Sequence, residues 1–296
     1  MKNKKTNGRP RSYGTRGSHK TKRALRRITA AAALIAVVAV LFYVGNNTIH
    51  MDSTEVYIKG LPGDLDGLRI LQVSDLHGRQ FGEDNEKLIK AVNDAKPDII
   101  AITGDLVDEI GELDQLPSLA KALSEIAPVY YVTGNHEWAH GLTGRIDDIF
   151  AEAGVTVLHN SFSDLKGSDG GGLVLAGIDD PNGRADMESR EHFIERIRES
   201  RADAPIVLLA HRNDPHYYED LDVSLVICGH GHGGIIRIPL VGGLIGTDRS
   251  LFPRFTGGLY DIGGPRMFVS RGLGGYEFEP RLFNRPHLPI IILRSS

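Results

Sequence analysis

The chain has 296 residues, of which 41% are hydrophobic and 24% charged, a composition typical of a folded globular protein. Residues 1–27 contain 11 Lys or Arg and no acidic residue, whereas the remainder has 23 basic and 38 acidic residues, a net charge of −15. So acidic a domain is not expected to bind nucleic acid, because that binding depends on Lys and Arg. The single cysteine, Cys228, excludes intrachain disulfides and is predicted to be a buried core residue.

The first element along the chain is an uncharged apolar stretch from Ile28 to Val44. As a helix it would rise about 25 Å, close to the thickness of the hydrocarbon core of a bilayer, so it predicts a single-pass signal anchor. A cleaved signal peptide and a buried core helix are the alternatives. The stretch has no polar face, and no small-x-small cleavage site follows it, which favours the anchor.

The charge on either side of this stretch predicts its orientation. The positive-inside rule keeps the basic flank in the cytoplasm and places the main domain outside it. The pair Arg26-Arg27 resembles a twin-arginine export signal, but the residues after it match poorly. The expected organisation is a basic cytoplasmic tail (1–27), a transmembrane anchor (28–44), a linker with a first extended segment (45–66) and the main domain (67–296).

In the main domain, short apolar runs alternate with amphipathic stretches, which predicts an α/β layered fold. The runs are too apolar for strands with one solvated face, so both faces are expected to be covered. The predicted strands are 68–73, 99–103, 129–133, 173–178, 206–210, 225–228 and 289–293. The predicted helices are 86–95, 116–126, 145–153 and 187–199. Residues 234–288 are rich in Gly, Pro and Arg and predict loops and short strands, whose aromatic residues fit core packing or an acyl-binding surface.

Candidate metal ligands follow the first two of these strands. Asp75 and His77 are two residues apart on an extended backbone, which places both side chains on the same side. Asp105 follows Gly104, a residue that permits a sharp turn, and its two oxygens could bridge two ions. Taken singly, each of these motifs is more typical of an ordinary turn than of a metal site.

Three further strands end in the same way. One ends in Asn135-His136, where adjacent side chains point in different directions, so that one can bind a metal and the other face a substrate. Another delivers His211. The last delivers His230 and His232, separated and flanked by glycines, which let a backbone approach a ligand closely.

Together, five strand ends in one half of a sheet are expected to supply Asp, Asn or His side chains. Active sites of open α/β sheets lie at these carboxyl ends. Oxygen and imidazole ligands without sulfur suit manganese, iron or zinc in a catalytic site and do not suit a closed structural zinc site.

In order and spacing, these motifs resemble those of the calcineurin-like metallophosphoesterases. The resemblance covers roughly residues 55–296. The segment Arg271-Gly272-Leu273-Gly274 looks like the membrane-associated bacterial branch, which includes phosphodiesterases similar to UDP-diacylglucosamine pyrophosphatases. Glu109 stands where the phosphoprotein phosphatases carry arginine, which weakens a protein-phosphatase interpretation, and Gly231 stands where many relatives have threonine.

The resemblance implies a four-layer α/β/β/α sandwich with a centre of two divalent metal ions at a sheet edge. Asp105 would bridge the two ions. The implied ligands are Asp75, His77 and His232 for one ion, and Asn135, His211 and His230 for the other.

The implied activity is hydrolysis of phosphodiester or pyrophosphate bonds, on a lipid-linked or nucleotide-linked envelope substrate. The two ions would activate a shared water for in-line attack on phosphorus. His136 would act as general acid or stabilise the phosphoryl oxygens. A phosphomonoesterase acting on exported metabolites and a non-catalytic metal-binding membrane docking module are the alternatives. The sequence leaves the substrate, the native metal and the oligomeric state open.

Overall fold

The computed structural model describes residues 16–167, 171–183, 187–275 and 281–296. Residues 1–15 of the expected basic tail therefore lie outside the described residues, as does Tyr276. The chain forms two compact units, residues 1–43 and 44–296.

The secondary-structure elements are numbered here in chain order. The helices are α1 (Arg16–Asn47), α2 (Glu86–Ala95), α3 (Leu116–Ser124), α4 (Asn135–Ala139), α5 (Thr143–Glu152) and α6 (Arg190–Ser200). The strands are β1 (Ser53–Ile58), β2 (Arg69–Val73), β3 (Ile99–Thr103), β4 (Val129–Val132), β5 (Thr156–Val157), β6 (Ser161–Lys166), β7 (Gly172–Gly177), β8 (Ile206–Leu209), β9 (Leu225–Cys228), β10 (Arg237–Ile238), β11 (Gly242–Gly243), β12 (Gly258–Asp261), β13 (Arg266–Val269) and β14 (Ile290–Ser295).

Helix α1 contains the stretch predicted as an anchor. Its apolar part, Thr21–Asn47, has 27 residues and would rise about 40 Å, more than the roughly 30 Å of a bilayer core. Only 6% of its most apolar window is buried. A core helix of a soluble protein would bury its apolar side chains, so α1 is consistent with a transmembrane anchor.

The second unit is built on two six-stranded sheets. The strand order is β1-β14-β2-β3-β4-β5 in the first and β12-β13-β9-β8-β7-β6 in the second. In the first sheet β2 to β5 are parallel, and in the second sheet β13, β9, β8 and β7 are parallel. The small hairpin of β10 and β11 stands outside both sheets.

Alternation of side chains along the strands separates the core into three apolar layers. Leu71 and Val73 of β2 pack with residues of α2, α3 and α5, whereas Ile70 lies in the layer between the two sheets. In β8, Leu209 lies in that middle layer and Leu208 packs with residues of α6. Helices thus cover the outer face of each sheet, and the expected α/β/β/α sandwich is confirmed.

Most predicted strands and helices are observed with ends shifted by one to three residues. The extended segment expected within residues 45–66 is β1, which pairs in parallel with β14 at the edge of the first sheet. The sequence analysis missed β6, because its side chains are half-buried and partly polar.

Candidate metal centre

The expected ligands lie where the two sheets meet. Three of the relevant strands, β2, β3 and β4, belong to the first sheet, and β8 and β9 belong to the second. The expectation that five strand ends share one half of a single sheet is therefore wrong. Beneath the site, Nε2 of Gln72 donates to Oγ1 of Thr103 (2.8 Å) and to the carbonyl of Cys228 (2.9 Å), which links the two sheets. Cys228 itself is fully buried, as predicted.

Several of the expected ligands sit in left-handed backbone conformations, so the expectation that Asp75 and His77 lie on an extended backbone is wrong. Their φ angles are 52° for Asp75, 48° for His77, 53° for Asp105, 65° for His230 and 45° for His232. This region is uncommon for residues other than glycine, although Asp and His are enriched in it, and it costs of order 1 kcal/mol per residue. Strain gathered at one place indicates a site whose side-chain directions matter more than local stability.

Two glycines make room for these turns. Gly104 has φ of 83°, and a Cβ there would collide with the backbone of Gly134. A Cβ at Gly229 would collide with the side chains of Ser74 and Asp75. Any larger residue would push the strand ends apart.

The first group of expected ligands consists of Asp75, His77 and His232, all buried. Nε2 of His77 lies 3.0 Å from Nε2 of His232, which in turn lies 3.6 Å from Oδ1 of Asp75. Asp75 is held by the Ser74 hydroxyl, which donates to its Oδ2 (2.6 Å), and by the backbone N–H of His230 (2.9 Å).

The second group lies around His211. Its Nε2 is 3.1 Å from Oδ2 of Asp105, 3.1 Å from Nδ1 of His230 and 3.1 Å from Oδ1 of Asn135. Asp105 also connects the two groups, because the same Oδ2 lies 3.8 Å from Nε2 of His77.

The arrangement fits metal ions. Ligand atoms about 2.1 Å from one ion stand about 3.0–3.4 Å from each other, close to the separations seen here. Nδ1 of His211 lies 2.8 Å from the Thr103 carbonyl and must donate to it, so Nε2 of the neutral ring offers a lone pair. That lone pair faces the amide oxygen of Asn135 and the carboxylate of Asp105, which are also acceptors. Acceptors that converge in this way need a positive charge between them, which either a proton on Nε2 or a metal ion can supply.

Electrostatics lead to the same conclusion. Burial would raise the pKa of Asp105, but His211 and His77 hold it well below its usual range. Burial opposes protonation of His211, yet Asp105 raises the pKa of this imidazole to about 10. Burial, followed by the charge of His211, lowers the pKa of His230 to about 2, so His230 is neutral at pH 7. The buried negative charge is balanced by a proton on His211, and a metal ion would take over that role.

His136 lies beside the ligands and does not belong to either group. Its Nε2 is 4.0 Å from Oδ2 of Asp105 and its Nδ1 is 2.8 Å from Oδ1 of Asp108. The neighbouring Asn135 points to His211, so the expectation that adjacent residues face different ways is met.

The sequence analysis missed two acidic residues that organise the site. Asp108 also approaches His77, whose Nδ1 is 2.5 Å from its Oδ1, an arrangement that orients a metal-binding imidazole. Glu137 is fully buried and accepts hydrogen bonds from the backbone N–H groups of Gly134 (2.7 Å), Asp105 (3.1 Å) and Leu106 (2.6 Å). Asp108 follows the expected ligand Asp105 by three residues and Glu137 follows Asn135 by two, and this proximity was the available signal.

A third missed residue is Arg212. Its guanidinium forms a bidentate pair with Asp180, with distances of 2.6 and 3.1 Å, and its Nη1 lies 3.1 Å from Nε2 of His230. Position 212 directly follows an expected ligand, but nothing in the sequence indicates that Asp180 would fix it there.

Residues 68–234 match the family of calcineurin-like phosphoesterases. The chain belongs to this family. It is 29% identical over 257 residues to the uncharacterized metallophosphoesterase YkuE of Bacillus subtilis, covering 83% of this chain and 87% of that protein. It is 30% identical over 287 residues to the uncharacterized metallophosphoesterase Cj0846 of Campylobacter jejuni, covering 94% and 73%. It is 29% identical over 290 residues to the transmembrane protein with metallophosphoesterase domain of Danio rerio, covering 91% of this chain and 63% of that protein.

Calcineurin-like phosphoesterases are metal-dependent hydrolases of phosphate esters with a dinuclear centre. The described residues of this chain include Asp and His groups that could hold metal ions. The bacterial branch, the identity of the metal and the role of each ligand remain predictions.

Proposed function

We propose that the chain hydrolyses phosphodiester or pyrophosphate bonds with two divalent ions, manganese, iron or zinc, as cofactors. The observation that carries the proposal is the pair of buried ligand groups that share Asp105. In this proposal Asp105 would contribute to holding both ions. The remaining ligands are Asp75, His77 and His232 for one ion, and Asn135, His211 and His230 for the other.

When bound, the two ions supply an activated water and neutralise charge that develops on the phosphoryl group. Asp108 holds the His136 ring through Nδ1, so that Nε2 is directed toward the ligands. In our proposal His136 donates the Nε2 proton to the leaving oxygen as its bond to phosphorus breaks. General-acid catalysis of this kind is typically worth about 10²-fold to 10⁴-fold in rate.

The cleft beside His230 supports a substrate larger than a simple monoester. It has a volume of about 410 Å³ and is lined by Arg212, Tyr217 and Arg254, among others. Arg212 is held rigidly by Asp180, and its guanidinium places a positive charge beside His230 that would attract phosphoryl oxygens. The remaining volume leaves room for a second group on the phosphate, which favours a diester or a pyrophosphate.

The helix α1 motivates a further part of the proposal, namely that the substrate is an envelope compound and that the catalytic unit lies outside the cytoplasm. The basic flank of α1 supports this orientation through the positive-inside rule. Reporter fusions at the C-terminus test it. An alkaline phosphatase fusion should be active and a green fluorescent protein fusion dark, and the reverse pattern would place the unit in the cytoplasm.

A turnover screen tests the activity. The purified full chain in detergent, loaded with manganese or zinc, is assayed on phosphodiesters, phosphomonoesters and nucleotide-linked pyrophosphates. Diesters or pyrophosphates should be preferred, and Asp105→Asn should abolish turnover while the exposed Asp114→Asn control retains it. A preference for monoesters would replace the proposal by a phosphomonoesterase of exported metabolites. Silence on all three classes with metal bound would favour a non-catalytic docking module.

A further inference from the structure

A second cavity, of about 610 Å³, lies outside the metal centre. Its polar lining comes from distant parts of the chain, and we call this lining the arginine pocket. It consists of His50, Arg237, Arg271 and Arg285. The side chains of Arg237 and Arg271 lie side by side next to Gly257. A Cβ atom placed on this glycine would be within 4 Å of both Nη1 of Arg237 and Cδ of Arg271.

The arginine pocket carries an excess of positive charge. Among the described residues, Asp52 is the one carboxylate within 4.0 Å of the three guanidinium groups, and it approaches Arg271 alone. Burial lowers the pKa of Arg271 to about 10 despite Asp52, and the like charges of Arg237 and Arg285 contribute to this lowering. Arg237 donates hydrogen bonds to neutral oxygens of Gly233 and Thr256. Arg285 donates to the backbone carbonyls of Thr48 and Ile49, which are also neutral.

The adjoining group of His50, Asp52 and His287 is close enough to suggest a metal site, but its hydrogen bonds exclude one. Nδ1 of His287 accepts the backbone N–H of Arg271 at 3.2 Å. The proton of the neutral ring is therefore on Nε2, which donates to Oδ1 of Asp52 at 2.9 Å. With no lone pair left on His287 and three guanidinium groups nearby, the pocket selects an anion.

The rim of the arginine pocket is apolar and solvent-exposed. Val241 is 65% exposed, Phe283 is 50% exposed, and Leu240 at the tip of the β10–β11 hairpin is fully exposed. Leu240 and Phe283 also adopt left-handed conformations, with φ of 68° and 54°, where Asn or Gly would cost less. Large apolar side chains exposed at such positions indicate a surface that enters an apolar phase.

The position of the arginine pocket along the chain indicates that this apolar phase is a membrane. His50 is three residues beyond the end of α1 at Asn47, and three residues of extended chain reach at most about 10 Å. If the anchor predicted at residues 28–44 crosses a bilayer, His50 follows its last residue by six positions, so the pocket is tethered within about 20 Å of the membrane surface. Basic residues close to a membrane are attracted to anionic lipids, and exposed apolar side chains insert between the headgroups.

We propose that the arginine pocket binds the phosphate of an anionic phospholipid headgroup while Leu240, Val241 and Phe283 insert into the bilayer beside it. The phosphoesterase unit then docks on the membrane that its own helix enters. This docking does not depend on the metal centre or on the proposed activity.

The full chain in nanodiscs tests the proposal through hydrogen exchange of residues 237–243 and 282–285. In discs of phosphatidylcholine mixed with phosphatidylglycerol, these amides should exchange about tenfold more slowly than in discs of phosphatidylcholine alone.

A binding titration with dihexanoyl phosphatidylglycerol is the second test. The substitutions Arg237→Gln and Arg285→Gln should each raise the dissociation constant for this lipid about fivefold, the effect of one basic residue at an anionic surface. The exposed Arg145→Gln is the matched control.

Leu240→Ser provides a second variant whose folding is not in question, because the side chain it shortens is fully exposed. It should reduce the protection in anionic discs, whereas Ile110→Ser, which shortens another exposed apolar side chain, should not. Equal exchange in neutral and anionic discs would overturn the proposal. So would inorganic phosphate giving the same protection in neutral discs, because the pocket would then be a site for free anions.

Discussion

Oδ1 of Asp108 lies 2.5 Å from Nδ1 of His77, so a residue outside the expected ligand set holds one of its members in place. His77 has its other nitrogen, Nε2, directed at His232. Burial opposes protonation of His77, but Asp108 and Asp105 raise its pKa. A carboxylate behind an imidazole fixes its tautomer and strengthens it as a ligand.

Asp108→Asn should therefore weaken metal binding. Loss of such an orienting carboxylate typically lowers metal affinity about 10-fold to 100-fold. Manganese titration of the chelator-treated full chain measures the dissociation constant directly, with the exposed Asp114→Asn as control. A dissociation constant equal to that of the wild-type chain would mean that Asp108 does not orient His77.

His136→Ala should separate catalysis from metal binding. If His136 protonates the leaving oxygen, turnover of an unactivated ester should fall about 10²-fold to 10⁴-fold. A p-nitrophenyl ester should lose much less, because its leaving group needs no proton. The nearby exposed His140→Ala is the control, since its ring stacks on His136 at 5.8 Å without contacting the ligands.

Metal content measured on the same samples completes this experiment. Full turnover of the unactivated ester by His136→Ala with both ions bound would contradict the role of general acid. Loss of metal instead would show that His136 supports the ligands.

The strands, and the site residues that follow their carboxyl ends, could be predicted from the sequence, because buried parallel strands are continuous apolar runs. Ile99–Thr103 is buried throughout and was predicted residue for residue. The division of the strands between two sheets could not be predicted from the sequence, because it depends on pairing between distant segments. Thus β14 inserts between β1 and β2, which local patterns do not encode.

The arginine pocket and the pairing of Arg212 with Asp180 could not be predicted from local patterns for the same reason. Arg237, Arg271 and Arg285 are separated by 14 residues or more and meet only in the folded chain. Of the aromatics in residues 234–288, Phe255 and Tyr260 pack against the core as expected, whereas Phe252 and Phe283 are exposed.

Glu137→Ala should destabilise the fold near the site. The substitution leaves three buried backbone N–H groups without their acceptor, and each such loss costs about 1–3 kcal/mol before water enters. We expect the free energy of unfolding to fall by about 3 kcal/mol or more. Chemical denaturation followed by circular dichroism measures it, with the exposed Glu152→Ala as control. A change below about 0.5 kcal/mol, usual for surface sites, would contradict the support role.

The pH dependence of the free energy of unfolding should report the protonation of His159, which is not one of the expected ligands. Hydrogen bonds to Asp147 and Asp179 raise its pKa from 6.5 to about 10. Because the folded-state pKa is the higher one, the stabilisation is fully present below pH 6.5 and is lost as the pH rises toward 10. The His159 ring is 37% exposed, so screening by solvent limits its contribution to the free energy of unfolding to about 0.5–1 kcal/mol.

His159→Gln should accordingly lower the free energy of unfolding at pH 6 and have progressively less effect toward pH 10. Denaturant titrations of wild-type and variant chains across this range measure the difference. The exposed His192→Gln on α6 controls for loss of any surface imidazole. The two carboxylates that face His159 lie 2.7 and 3.1 Å from its ring nitrogens, so only a protonated ring satisfies both. A difference that stays constant or grows with pH would therefore mean that the neutral ring is the native form.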